Sequence, residues 1–278
     1  MSTGTDMDSQ HGYATVNGLD IYYEIHGSGE PLIVLPGGFM TVQATGAIVP
    51  QLAASRRVIG VELQGHGHTA DIERALRFES MADDIADLIE HLGLERADIL
   101  GYSLGGGVAL QTAIRHPEVV RKLALISTPF KRDGWYPEVL AGMAAISVEG
   151  FAGTPIHDAY LKTSPKPEAW PTFVAKMRQL LGEDYDWGTD VAALNTPILI
   201  VVGDADSVRL PHAVEFFGLL GGGKADGDQA GLPPSRLAVL PATTHVGWEP
   251  PKRGPMSRTE LLVPMIEEFL DAPMPEAR

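Results

Sequence analysis

The sequence predicts an α/β protein, with a mostly parallel central sheet, helices on both faces and a helical insertion late in the chain. Three observations carry this. Short apolar runs recur at Leu32-Ile33-Val34-Leu35, Val58-Ile59-Gly60-Val61, Ala97-Asp98-Ile99-Leu100, Leu123-Ala124-Leu125-Ile126 and Ile198 to Val202, the pattern of strands buried on both sides. Helix-like stretches separate them, which is the alternation of a parallel sheet. Gly101-Tyr102-Ser103-Leu104-Gly105 then joins one run directly to a helical pattern, so a serine stands on a sharp strand-to-helix turn.

The elements follow in order. Tyr13–Val16 and Leu19–His26 read as strands around Asn17-Gly18, a dipeptide that favours a type I′ hairpin. Gly27 to Pro31 is a turn, and the Leu32–Leu35 strand runs into Pro36-Gly37-Gly38-Phe39. The Val58–Val61 strand ends at Glu62-Leu63-Gln64-Gly65-His66-Gly67-His68. Ser80 is expected to open a helix with Asp83 as its capping partner. Met81, Ile85, Leu88, Ile89 and Leu92 would form its buried face, with Asp83, Asp84, Asp87 and Glu90 facing water and Gly93 ending it. The strand before Ser103, its helix and the Leu123–Ile126 strand come next. A last, shorter strand is expected at Leu237–Leu240, and an amphipathic helix at Leu261 to Leu270.

Residues 130–194 break the alternation, with no buried-strand run. Trp170, Phe173, Val174, Met177, Leu180 and Leu181 mark one helix there, and Trp135, Tyr136, Val139, Leu140 and Met143 another. The expected organisation is a core of residues 1–129 and 195–278, with residues 130–194 as a helical cap over the carboxyl edge of the sheet. Such a cap needs an apolar underside if it covers an apolar substrate. Gly221 to Pro234 reads as a long loop without the Lys-Ser/Thr pair of a phosphate-binding loop.

Composition narrows the function classes. The chain has 278 residues, of which 44% are hydrophobic, enough for a sizeable core. Acidic residues outnumber basic ones by 36 to 21, a net charge of −15, which disfavours nucleic-acid phosphates and anionic membranes as partners. There is no cysteine, so disulfides, thiolate catalysis and cysteine-bound metals are excluded. Met1 to Gln10 lacks the apolar core of a secretory signal, and a cytoplasmic protein is the expectation.

A serine hydroxyl needs a base to act as a nucleophile. His245, between the last strand and the final helix, belongs to the same sheet edge as Ser103. Asp204 and Asp206 both follow the Ile198–Val202 strand, and either could orient the base. Asp206 lies deeper in the loop and is favoured, while Asp204 suits the ordinary role of tying turn amides. An oxyanion needs preorganised donors. Leu104 N–H is one, and Gly38, with Phe39 next to it, is the source expected for the second. His66 and His68 lack metal-ligand spacing and a nearby carboxylate, so they are expected to shape their turn. His11, His26, His91, His116, His157 and His212 read as surface or packing residues.

Ser103, Asp206 and His245 in that order, with the Pro36-Gly37-Gly38 turn, resemble the α/β-hydrolase superfamily, and the resemblance runs from Tyr13 to Leu270. Gly101-Tyr102-Ser103-Leu104-Gly105-Gly106 is similar to its nucleophile elbow, and Gln64-Gly65-His66-Gly67 to its turn after the fourth strand. Two departures are Pro36, where a histidine is usual, and Glu62, where an aspartate is usual. The resemblance implies an α/β-hydrolase fold with Ser103 as nucleophile, His245 as base, Asp206 as orienting acid, and Leu104 and Gly38 as oxyanion donors. It implies neither a cofactor nor a metal. The expected activity is that of a carboxylesterase-like serine hydrolase. A serine at the elbow argues against the carboxylate-ester chemistry of haloalkane dehalogenases and epoxide hydrolases. Phe39, Trp135, Tyr136, Phe151 and Trp170 are candidate substrate-binding residues for a small to medium apolar ester. The same triad would serve a lactonase, a carbon–carbon bond hydrolase or a cofactor-free perhydrolase. A slow-turnover ligand receptor is the reading from another class. The expected partner is the small-molecule ester, with homodimerisation left open.

Overall fold

Asn17 and Gly18 adopt left-handed backbone, with φ of 50° and 76°, as a type I′ turn requires. They pair β1 (Gln10–Val16) with β2 (Leu19–His26) in an antiparallel hairpin at one end of the sheet. The computed structural model describes residues 10–247 and 253–275, so Met1 to Ser9 and Trp248 lie outside the described residues. Along the chain follow β3 (Pro31–Leu35), α1 (Ile48–Leu52), β4 (Arg57–Glu62), α2 (Phe78–His91), β5 (Ala97–Tyr102), α3 (Leu104–Arg115) and β6 (Val120–Ile126). Five helices then precede the next strand: α4 (Pro137–Ala144), α5 (Val148–Phe151), α6 (Pro155–Thr163), α7 (Trp170–Gly182) and α8 (Gly188–Ala193). The chain closes with β7 (Ile198–Ala205), α9 (Leu210–Leu219), α10 (Gly227–Ala230), β8 (Arg236–Thr244) and α11 (Thr259–Asp271).

The eight strands form one sheet in the order β1-β2-β4-β3-β5-β6-β7-β8, parallel from β4 through β8. Alternation along each strand feeds two cores. Leu32 and Val34 of β3 face a layer holding Ile48, Leu52, Ile266 and Phe269 of α1 and α11. Ile33 and Leu35 face the opposite layer, with Ile85, Leu88, Val108 and Leu110 of α2 and α3. This is the doubly wound α/β-hydrolase fold. The chain steps from β3 outward to β4 and then back across to β5, so strand order reverses beside β3. Ligands of open α/β sheets bind at the carboxyl ends of the strands at such a reversal. Gly37–Phe39 and Ser103 both stand there.

Several local expectations are corrected. Helix α2 begins at Phe78, with Arg77 as a cap residue that makes no side-chain cap bond. Ser80 is therefore inside the first turn, and Asp83 bonds Arg115 at the end of α3 and His116 just past it instead of capping. Asp84 does not face water: it is buried, where it takes a two-pronged bond from Arg74 at 3.1 and 2.6 Å. The arginine supplies the charge that makes this burial tolerable. Strand β8 extends to Thr244, beyond the expected Leu240, because it is an edge strand whose half-exposed residues do not read as an apolar run. The Gly221–Pro234 loop contains one helical turn, α10. No helix among the described residues is long and apolar enough to cross a membrane.

Candidate active site

The Ser103 turn is shaped by its glycines. Ser103 has φ 52° and ψ −114°, a strained backbone for a residue with a side chain. A Cβ on Gly101 would lie 2.5 Å from the Gly105 carbonyl oxygen, and one on Gly105 would overlap the carbonyl oxygens of Leu35 and Pro36. Bulkier residues would push α3 off the sheet. Ser103 N–H still bonds Ile126 O at 2.9 Å, so the strained residue is anchored to the strand lattice.

The side chains expected to converge do so. Ser103 Oγ lies 3.0 Å from His245 Nε2, and His245 Nδ1 lies 2.7 Å from Asp206 Oδ1. Asp206 is fully enclosed, and its carboxylate is well supplied with donors. Oδ1 also accepts from Val208 N–H, and Oδ2 accepts from Ser127 Oγ–H and Gly203 N–H. Burial alone would raise its pKa, but the hydrogen bond and charge of His245, with Ser127 and Gly203, hold it below the usual carboxylate range. An ionised Asp206 can only accept, so Nδ1 carries the imidazole proton and Nε2 presents its lone pair to the Ser103 hydroxyl. Tyr102 fixes the histidine from the other side, its hydroxyl donating to His245 O at 2.6 Å. Trp135 stands edge-on to the imidazole, 5.3 Å between ring centres. Asp204 is exposed and accepts from Thr243 N–H at 3.1 Å, well placed to brace the loop but not touching the imidazole.

Ser127 is the residue that sequence reasoning missed. It is fully buried, has φ 53°, and sits one residue past β6 at the same edge. A serine directly after a buried apolar run, in Ser127-Thr128-Pro129, was the available signal.

Gly38 and Phe39, expected to supply an oxyanion donor, lie in a tight turn after β3. Met40 N–H closes it onto Gly37 O at 3.1 Å, and Phe39 takes φ 62°, the left-handed position that a type II turn demands. The amides of Gly38, Phe39 and Leu104 donate to no protein acceptor among the described residues. A Cβ on Gly38 would lie 3.6 Å from Leu104 Cδ2 and 3.1 Å from Met177 Cε, so this turn abuts both the serine turn and α7. The strain at Phe39 directs its ring into a cluster with Phe151 at 4.8 Å, Phe173 at 5.4 Å and Trp170 at 6.1 Å. Tyr136 is not drawn in; it is 41% exposed and precedes α4.

The neighbouring turn corrects a further expectation. A carboxylate does stand beside His68: Glu62 Oε2 lies 2.9 Å from its Nδ1 and accepts its backbone N–H. Oε1 of the same side chain accepts Val42 N–H at 3.0 Å, so Glu62 ties two loops together. No group of three or more acidic or histidine side chains among the described residues is arranged to hold a metal. A groove of about 850 Å³ lies at the amino ends of β6, β7 and β8, beside Val120, Thr196 and Ser235. The Ser235 hydroxyl in its lining accepts Ile198 N–H at 3.1 Å.

Comparison with known proteins agrees with the fold. Residues 30–158 match the family model described as alpha/beta hydrolase fold. The chain is 37% identical over 106 residues to a 2-hydroxymuconate semialdehyde hydrolase of Pseudomonas sp., covering 37% of this chain and 38% of that one. Matches to the curated relatives span less than half of their length, as with the 46% of a putative carbamate hydrolase of Azorhizobium caulinodans, 31% identical over 44% of this chain. Among solved structures, an E-2-(acetamidomethylene)succinate hydrolase superposes with a TM-score of 0.71 at 22% identity, over 95% of this chain and 100% of that one.

Proposed function

We propose, from the premise that this chain belongs to the α/β-hydrolase superfamily, that it is a serine hydrolase cleaving carboxylic esters of small to medium apolar substrates through an acyl-enzyme. The observation that carries this reading is the unbroken chain of contacts Ser103 Oγ, His245 Nε2, His245 Nδ1, Asp206.

In the first half-reaction, Ser103 Oγ attacks the ester carbonyl carbon as its proton passes to His245 Nε2. Asp206 stabilises the resulting imidazolium. The carbonyl oxygen, now negative, takes hydrogen bonds from the Leu104 and Gly38 amides. Each such donor is typically worth about a hundred- to a thousandfold in rate. The tetrahedral centre collapses, the carbon–oxygen bond to the alcohol breaks, and the alcohol leaves with the proton from Nε2. Water then loses a proton to His245 and attacks the acyl carbon. Ser103 departs, regaining a proton from Nε2.

Residues 130–194 act as the cap over a core of residues 1–129 and 195–278. Trp135, Phe151 and Trp170 of the cap, with Phe39 of the core, supply apolar walls, which favours an apolar acyl or alcohol group. The serine nucleophile separates this chemistry from that of a carboxylate nucleophile. Lactone or carbon–carbon bond cleavage would use the same three residues, and a substrate panel distinguishes them. Turnover of p-nitrophenyl butyrate is expected to exceed that of a lactone and of a vinylogous diketone, and Ser103→Ala is expected to abolish it. Preference for the lactone or the diketone, or ester turnover that survives Ser103→Ala, would overturn the reading.

A further inference from the structure

A second feature lies beyond the Phe39 ring. His66 and Trp170 are both only 3% exposed, and each carries a buried polar atom without a partner: His66 Nε2 and Trp170 Nε1. Native structures rarely leave such groups unpaired, because an unmet buried donor or acceptor is costly. Both side chains line one cavity of about 10 Å³, together with Phe39, Thr41, Tyr160 and Phe173. That is room for about one water-sized group.

The chemistry of the two atoms is determined by their surroundings. His66 Nδ1 lies 3.0 Å from Gln64 O, which can only accept, so Nδ1 holds the ring proton. Burial pushes the His66 pKa down to about 4, so the ring is neutral near pH 7 and Nε2 offers a lone pair. Trp170 Nε1–H can only donate. The cavity lining therefore brings an acceptor and a donor together, with the threonines Thr41 and Thr163 beside them, within an aromatic wall where Phe173 meets both His66 at 4.9 Å and Trp170 at 6.1 Å.

We propose that this cavity is a subsite for an alcohol hydroxyl on the substrate. Resting on the ester-hydrolase reading above, it makes the substrate class hydroxylated esters. The hydroxyl gives its hydrogen to His66 Nε2 and accepts from Trp170 Nε1–H, so both orphaned atoms are met at once. A methyl group would leave both unpaired. A carboxylate has no proton for Nε2 and would bring a charge among aromatic rings. Phe39 connects the two places: its backbone belongs to the turn beside Leu104, and its ring walls the cavity. In this proposal a substrate held at Ser103 extends along Phe39 to the subsite.

The test uses p-nitrophenyl ω-hydroxyalkanoates and their methyl-terminated isosteres, matched chain for chain. At the chain length that spans the two places, the hydroxyl ester is expected to show at least about a tenfold higher kcat/KM. Trp170→Phe keeps the ring, removes the donor, and is expected to bring that ratio toward one. A ratio near one at every length in the wild type, which a permanently held water would give, overturns the proposal. So does a ratio that Trp170→Phe leaves unchanged. Calorimetric binding of the same intact esters to Ser103→Ala decides the matter without turnover. Tighter binding of the hydroxyl member supports the subsite even if hydrolysis is absent and the ester reading fails. Equal affinity at every length overturns the subsite while leaving that reading intact.

Discussion

Replacing Ser127 by alanine removes one of the hydrogen bonds that hold the Asp206 carboxylate, leaving those from Gly203, Val208 and His245. The backbone there has φ 53°, which serine and alanine tolerate similarly, so the perturbation is confined to the hydroxyl. A hydrogen bond to a charged group contributes about 1.5–3 kcal/mol. Expressed wholly at Asp206, that loss would raise its pKa back toward the usual carboxylate range. Expressed wholly in the transition state, where Asp206 faces an imidazolium, it would lower kcat/KM by about 10- to 100-fold. The sign of the pH effect follows from the depressed pKa of Asp206. Its stabilising contribution is present above the unfolded carboxylate value and lost as pH falls through the folded one, so the variant meets that loss at higher pH. The assay is a pH profile of kcat/KM on a p-nitrophenyl ester, with urea unfolding in parallel. A folded Ser127→Ala protein with the neutral rate and the acid limb both unchanged would refute the idea that Ser127 positions Asp206.

Two further outcomes follow from buried groups. Burial lowers the pKa of both His66 and His212 to about 4, so each ring stays neutral in the native state while the unfolded chain takes up protons below about pH 6.5. Each contributes up to about 3 kcal/mol that is fully present above that pH and lost as pH falls toward 4. Urea midpoints should therefore drop between about pH 7 and pH 5, and less so in His212→Phe; a flat profile would contradict this. Lys122 is fully buried, and its ammonium donates to the carbonyls of Phe269, Leu270 and Ala272 at the end of α11. Lys122→Met keeps the volume but leaves those acceptors unmet, and should cost about 3–5 kcal/mol by denaturant unfolding; a loss below about 1 kcal/mol would show that the helix end finds other donors.

What could be read from the chain was local or periodic. The Asn17-Gly18 hairpin and the buried strands declare themselves because the turn chemistry and the apolar runs are each contiguous. Ser103, His245 and Asp206 were legible because each follows a strand at the same edge. The losses were of two kinds. Arg74 with Asp84, and Glu62 with His68, are pairs between separate loops or elements, and no local pattern shows which carboxylate will find a cation. The apolar pattern of β8 stops at Leu240 because Pro241 and Ala242, which continue the strand, are exposed, and Thr243 and Thr244 are polar. In the insertion, Pro137, Pro155 and Pro171 stand in the first turns of α4, α6 and α7, a start signal that apolar periodicity alone passes over.

The most direct measurement is covalent labelling with a fluorophosphonate, read by intact mass and peptide mapping. A single adduct on Ser103 is expected, absent in Ser103→Ala and slowed by orders of magnitude in His245→Ala. Protein that hydrolyses esters while Ser103 stays unlabelled, or that labels equally fast without His245, would contradict the assignment of this serine as a histidine-activated nucleophile.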